Sequence, residues 1–201
     1  FHPVKIITTG EGGMVVTNSK YFYEKLKRFR NHGIFSFPRE RMKQKMMFYK
    51  MEEIGYNYRI TDFQCALGIS QIKKINKFLE KRNEIAEYYN KKLKEIEEIE
   101  ILKKEKDVYH AYHLYVVKLT SEKIRNKLFF HLREKKIGVN IHYYPVHLQP
   151  FYVKNFKTYK GMCPIAEDIY KKILSLPIYF TLSRKKQDYV IKCIKDFFKN
   201  I

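Results

Sequence analysis

The sequence predicts an α/β protein. Three observations lead there. A β-prone run at residues 4–7 is closed by a glycine turn at 10–13; long stretches carry apolar residues at helical spacing; and strand-like and helix-like segments alternate from Tyr109 onward.

Val4, Ile6 and Ile7 favour an extended, half-buried segment, Gly10, Gly12 and Gly13 supply a tight turn, and residues 14–17 read as a returning strand. Asn18 or Ser19 caps a helix whose Phe22, Leu26 and Phe29 share one face, and Gly33 ends it. Residues 34–53 carry Pro38 and many charges without a steady period. They read as a long loop, and a loop of that length inside a domain usually carries function. Thr61-Asp62 is an N-cap for a helix through Phe63, Ala66, Leu67, Ser70, Ile72 and Ile75. The spacing continues through Phe78, Ile85, Ala86, Tyr89 and Leu93 to about Ile96. So long a helix predicts a bend, placed near Asn76. Residues 91–106 read as a charged helix end and turn. Beyond them the pattern predicts a strand over 109–119, a helix over 121–135 capped by Ser121, a second strand over 138–143, and helices over 163–174 and 184–199 separated by Leu176-Pro177.

A chain of 201 residues holds one sizeable core or two small ones. It opens on Phe1 without a charged leader, and it has no apolar run long enough to span a bilayer, so the expectation is a protein neither secreted nor membrane-inserted. Cys65, Cys163 and Cys193 are odd in number and lack C-x-x-C spacing, which points to a reduced, cytoplasmic setting. The net charge of +20, from 41 Lys plus Arg against 21 Asp plus Glu, raises the question of nucleic acid. The positives are mostly lysines spread along the chain, without arginine clusters, zinc-finger spacing or an RNP-like aromatic motif. They read as a solvated surface, part of which attracts an anionic substrate.

Lys5 is one lysine inside an apolar run. Low-dielectric packing favours its neutral amine, the form that attacks a carbonyl; the other reading is a strand-end lysine whose ammonium snorkels to water. Asn57 and Arg59 lie just before a helix N-terminus, where amides and a guanidinium both favour anions, although Arg59 also suits a surface carboxylate. His142 and His147 stand five apart in HYYPVH, without a third ligand at recognisable spacing, so no metal is expected, and the residues alone read as satisfied strand-end histidines. His113 is assigned to a strand, and no motif supports a serine or cysteine nucleophile.

The stretch FHPVKIITTGEGG resembles the cofactor-lysine segment of the DegT/DnrJ/EryC1/StrS sugar aminotransferases. GYNYRITD with Gln64 and Ala66-Leu-Gly68, and HYYPVHLQ from His142 to Gln149, agree with the family in order and spacing. The resemblance implies the C-terminal part of an aspartate-aminotransferase-like, fold type I, pyridoxal 5'-phosphate-dependent transferase. Residues 1–76 would be the end of the cofactor-binding large domain, and 77–201 a small α/β domain that includes the linking helix. The resemblance further implies that Lys5 holds the cofactor and that Asn57 reaches the neighbouring subunit's cofactor phosphate in a homodimer. Arg59 would lie on the substrate side, with His142 and Tyr143 contributing to the neighbour's substrate pocket. The groups that stack on the pyridine ring, and the acidic partner of its nitrogen, are expected outside this stretch. Within the family the likeness is greatest to pseudaminic-acid-type members, which aminate a UDP-linked 4-keto-6-deoxy sugar with glutamate as amino donor. Members that dehydrate a sugar carry histidine in place of the lysine, so Lys5 favours transamination. The reading from another class is a basic nucleic-acid-binding or assembly module.

Overall fold

A computed structural model describes residues 1–34, 42–43 and 45–200, and the chain divides into two compact units, Phe1–Ile75 and Asn76–Ile201. Residues 35–41 and 44 of the expected 34–53 loop lie outside the described residues.

In the first unit, helix α1 (Lys20–Phe29) begins where the Ser19 hydroxyl accepts from the Phe22 N–H at 3.4 Å, satisfying one of the donors that a helix start leaves unpaired. Past its end, Gly33 takes φ 68° and donates its N–H to Arg28 O at 3.0 Å. A Cβ on Gly55 would collide with the Gly33 backbone, so these two chain segments approach as closely as they do only because both residues are glycine. Helix α2 (Asp62–Ile72) starts from a capping box between Thr61 and Gln64. The single bent helix expected over 62–96 is instead two helices: Lys74 N–H turns to Gln71 O, three residues back, which tightens the last turn and ends the α ladder before Ile75. No α2 residue is buried within this chain, and Phe63 is 90% exposed.

The strands expected at residues 4–7 and 14–17 are not formed. A strand is stabilised by a paired ladder. Here the Lys5 N–H goes to His2 O and the Thr9 N–H to Phe1 O, while Met14, Val15 and Val16 are exposed and have no neighbouring strand among the described residues.

The second unit is built on a three-stranded antiparallel sheet in the order β1 (Ile99–Ile101), β2 (Tyr115–Leu119), β3 (Ile173–Leu176). Central β2 buries Tyr115, Val117 and Leu119, the period-two pattern of a sheet with one covered face. Val117 faces Ile101 on one side and Leu174 on the other. Helix α3 (Ile75–Leu93) buries Arg82, Ile85, Ala86, Tyr89 and Leu93, which recur every three to four residues. Helix α4 (Glu122–Glu134) adds Leu128 and Leu132 to the core; α7 (Arg184–Lys199) adds Val190, Ile191, Ile194 and Phe197. Between α4 and β3 run a 3₁₀ turn (Val146–Leu148), α5 (Pro150–Phe156) and α6 (Pro164–Lys172), each α-helix opening with proline at its first position.

Three expectations for this unit need correction. The strand expected over 109–119 is ordered only from Tyr115, because the carbonyls of His110, Tyr112 and His113 accept from the Asn83 amide and the Arg82 guanidinium rather than from a ladder, and Tyr112 takes φ 43°. His113 therefore lies before the strand. The strand expected over 138–143 shrinks to one bridge between Asn140 and Ser175, since the Ile141 N–H is taken by Asn140 Oδ1 at 2.8 Å. The helix expected over 163–174 stops at Lys172, and Ile173–Leu176, buried throughout, forms β3 instead.

Candidate active site

Residues 1–13 close on themselves. The Phe1 nitrogen donates to Gly12 O at 2.8 Å, and the Phe1 carbonyl accepts from the Thr9 N–H at 3.0 Å and from Thr8 Oγ1 at 2.9 Å. The Gly10 N–H donates to Thr8 Oγ1 and Thr9 Oγ1 donates to Glu11 O, at 2.9 and 2.6 Å. Gly12, at φ 145°, is the tightest point: a Cβ there would lie 2.7 Å from Thr9 Oγ1. Lys5 stands on this loop with its side chain exposed. Among the described residues no strand forms at 4–7 and no sheet layer covers Lys5, so of the two readings the structure shows the lysine that reaches water. The loop is fixed by hydrogen bonds instead of burial.

Gln64 ties that loop to the start of α2. Its amide nitrogen donates to Glu11 O at 3.0 Å, and its carbonyl oxygen accepts from the Thr61 N–H at 3.1 Å and the Thr61 hydroxyl at 3.0 Å. The glutamine three residues after a threonine is a capping signal, and its second bond, to a residue 53 positions earlier, leaves no local trace in the sequence.

Asn57 and Arg59 occupy the extended stretch that leads into Thr61, and both side chains are exposed. Backbone bonds hold that stretch against the end of α1: Tyr56 N–H to Phe29 O at 2.6 Å, Tyr58 N–H to Arg30 O at 2.9 Å, and a bridge between Asn57 and the buried Asn31. Tyr56 and Tyr58 stack at 4.8 Å, as residues two apart on one face of extended chain do, and Asn57 and Arg59 alternate with them. The first unit thus brings the Lys5 loop and the Asn57–Arg59 stretch to the same helix start.

His142 and Tyr143 belong to the second unit. His142 Nδ1 lies 2.8 Å from the hydroxyl of Ser175, a residue 5% exposed on β3, and burial pushes the imidazole below its ordinary range. The Tyr143 ring, largely exposed, meets the His142 ring edge to face at 4.6 Å. His147 instead donates from Nε2 to Glu167 at 2.9 Å, with both side chains almost enclosed, and Glu167 also accepts from the Gly161 N–H at 2.6 Å. The His147 hydrogen bond first, and the Gly161 amide second, hold the Glu167 carboxyl below the usual carboxylate range. His147 is therefore a satisfied residue that fastens the 145–163 segment to α6. Sequence reading missed Ser175 and Glu167, since neither has a recognisable spacing to its histidine. Among the described residues, no three His, Cys, Asp or Glu side chains converge on a metal-sized site.

The model of the DegT/DnrJ/EryC1/StrS aminotransferase family matches residues 1–195. The chain is 38% identical over 192 residues to the UDP-4-amino-4,6-dideoxy-N-acetyl-beta-L-altrosamine transaminase of Campylobacter jejuni, covering 94% of this chain and 49% of that protein. It is 33% identical over 196 residues to the GDP-perosamine synthase of Escherichia coli O157:H7, covering 98% and 50%. Among solved structures it resembles Helicobacter pylori PseC, an aminotransferase involved in the biosynthesis of pseudoaminic acid, with a TM-score of 0.88 and 30% identity over 100% of this chain and 52% of that one. The chain spans about half the length of the relatives it matches.

Proposed function

We propose, because the chain belongs to the DegT/DnrJ/EryC1/StrS aminotransferase family, that it is the cofactor-lysine half of a nucleotide-sugar transaminase. Its fold is about half of a fold type I, pyridoxal phosphate-dependent sugar aminotransferase. On this reading residues 1–76 close the large domain and 77–201 form the small one. The observation that supports the proposal is that Gln64 ties the loop carrying Lys5 to the start of α2, the helix into which the Asn57–Arg59 stretch leads.

The donor set fits the cofactor. Lys5 offers an exposed primary amine for an aldehyde, and Asn57 and Arg59 offer exposed donors for anionic oxygens. When bound, pyridoxal phosphate supplies the electron sink that makes a proton on the adjacent carbon removable. Lys5 Nζ takes that proton from the α-carbon of the amino donor, glutamate, and in the second half-reaction delivers one to C4 of the sugar. Asn57 binds the cofactor phosphate of the neighbouring subunit in a homodimer with shared active sites. Arg59 lies on the substrate side, and His142 and Tyr143 contribute to the neighbouring subunit's substrate pocket, with His142 near the phosphates of the sugar nucleotide. We assign the substrate as a UDP-linked 4-keto-6-deoxy-N-acetylamino sugar of the pseudaminic acid type, the UDP-sugar relative being the more similar of the two compared, and the setting as cytoplasmic.

Borohydride reduction of the full-length protein with pyridoxal phosphate, followed by peptide mapping, tests the assignment. The label is expected on Lys5. A label scattered over surface lysines of the folded protein overturns it.

A further inference from the structure

Ser175 is fixed from both sides. Its N–H donates to Asn140 O at 2.8 Å and its carbonyl accepts from the Asn140 N–H at 3.3 Å, so its backbone cannot turn without breaking the bridge that joins the 138–143 segment to β3. The hydroxyl is what remains, and it sits 2.8 Å from His142 Nδ1. A buried hydroxyl proton needs an acceptor. Among the described residues no oxygen or nitrogen other than His142 Nδ1 is bonded to Ser175 Oγ. If Nδ1 carried the ring proton and gave it to the serine, the hydroxyl proton would be left without a partner. The arrangement that satisfies both groups has the serine O–H donating to a bare Nδ1, which places the ring proton on Nε2.

We propose that Ser175 is a positioning residue that fixes the tautomer of His142, so that a neutral imidazole presents Nε2–H as a hydrogen-bond donor to an anionic oxygen of the sugar nucleotide. The inference rests on the reading above that His142 meets the substrate. It adds a specificity device to that reading: a neutral donor attracts phosphate oxygens by direction rather than by net charge, so its contact is less weakened by salt than an imidazolium's. Burial supports the same state, because desolvation disfavours the charged ring.

The test uses the full-length enzyme in two parts. First, protein labelled with ¹⁵N-histidine gives the ring-nitrogen shifts of His142, assigned by their loss in His142→Gln. The wild type is expected to show the Nε2–H form. Ser175→Ala, which removes only the hydroxyl, is expected to show a mixture of both tautomers and a higher titration midpoint. An unchanged tautomer in Ser175→Ala, with an unchanged far-UV spectrum, overturns the proposal. Second, steady-state kinetics of Ser175→Ala are expected to show KM for the nucleotide sugar raised about tenfold, with kcat and KM for the amino donor held. A tautomer mixture with unaltered KM upholds the positioning contact and overturns the substrate role of His142. The two failures are thereby separated.

Discussion

Gln64 holds Glu11 and Thr61 at once: its amide N–H reaches the Glu11 carbonyl at 3.0 Å while its own carbonyl receives the Thr61 N–H at 3.1 Å. One side chain thereby caps a helix and anchors the loop that displays Lys5. Gln64→Ala removes both contacts, and a loss of about 1–2 kcal/mol in urea denaturation is expected from a cap plus one tether. Faster amide exchange at Thr9 and in the first turn of α2 would accompany it. Exchange rates unchanged at Thr9 would mean that the loop closes without the glutamine.

Lys5→Ala separates chemistry from folding. The side chain is exposed, so thermal stability is expected to change by less than about 0.5 kcal/mol. Turnover of the full-length protein should disappear, and retained amino transfer would sink the role given to this lysine.

Arg82 sends its guanidinium to the carbonyls of Tyr112, His113 and Ile178 at 2.8, 3.3 and 3.3 Å, and burial depresses its pKa. Arg82→Met keeps the aliphatic packing and strands those acceptors. A cost of about 3 kcal/mol is expected for losing hydrogen bonds from a buried charged donor, readable as a lower denaturant midpoint. A midpoint within error of the wild type would show that water replaces the guanidinium freely.

The Glu167 carboxyl titrates below its ordinary value because His147, and then Gly161, donate to it. A carboxylate depressed in the folded state stabilises above the unfolded carboxylate value of about 4.3 and loses that contribution as pH falls through the folded value. Glu167→Gln is therefore expected to melt lower than the wild type at pH 7, with the gap closing in the acid range below pH 4. A gap that is constant from pH 7 to pH 3 would refute the linkage.

Phe63 is 90% exposed on α2, and Leu67, Ile69 and Ile72 of the same helix are exposed too. Exposed apolar residues on two faces of one helix promote association. Phe63→Asp in this 201-residue chain is expected to reduce self-association in analytical ultracentrifugation without lowering the melting temperature.

What was legible in the sequence followed local rules. Ser19, Thr61 and Ser121 each carry the cap that starts a helix, and the apolar spacing of α3, α4 and α7 is that of their buried faces. Where the reading failed, a distant partner had decided the outcome. Residues 4–7 and 14–17 have strand propensity but no ladder to join, and propensity without pairing leaves loops. Residues 109–113 look extended, yet Arg82 and Asn83, some thirty positions earlier, claim their carbonyls. Ile173–Leu176 continues an apolar run whose length and period do not separate helix from strand, and only pairing with β2 settles it. For the candidate site, Lys5, Asn57, Arg59, Gln64, His142 and Tyr143 were visible as motif residues, whereas the tether from Gln64 to Glu11 and the partners Ser175 and Glu167 depend on contacts across 53, 33 and 20 positions.

The Gln187 side chain, 1% exposed, donates to the carbonyl of Ile85 at 2.7 Å across 102 positions, and Tyr88 reaches Asp188 while Lys195 reaches Glu95. The last helix is thus the lid on the first helix of its unit, with Ile194 and Phe197 packed in the same core. During synthesis on the ribosome, α3 emerges roughly a hundred residues before its partner, at about 5–20 residues per second. For several seconds the Ile85 turn of α3 lacks the cover that α7 gives it, while Tyr89 meets Tyr115 of β2 sooner. This makes α3 the segment on which a holding chaperone would act, and it makes the release of α7 from the exit tunnel the event that ends the exposure.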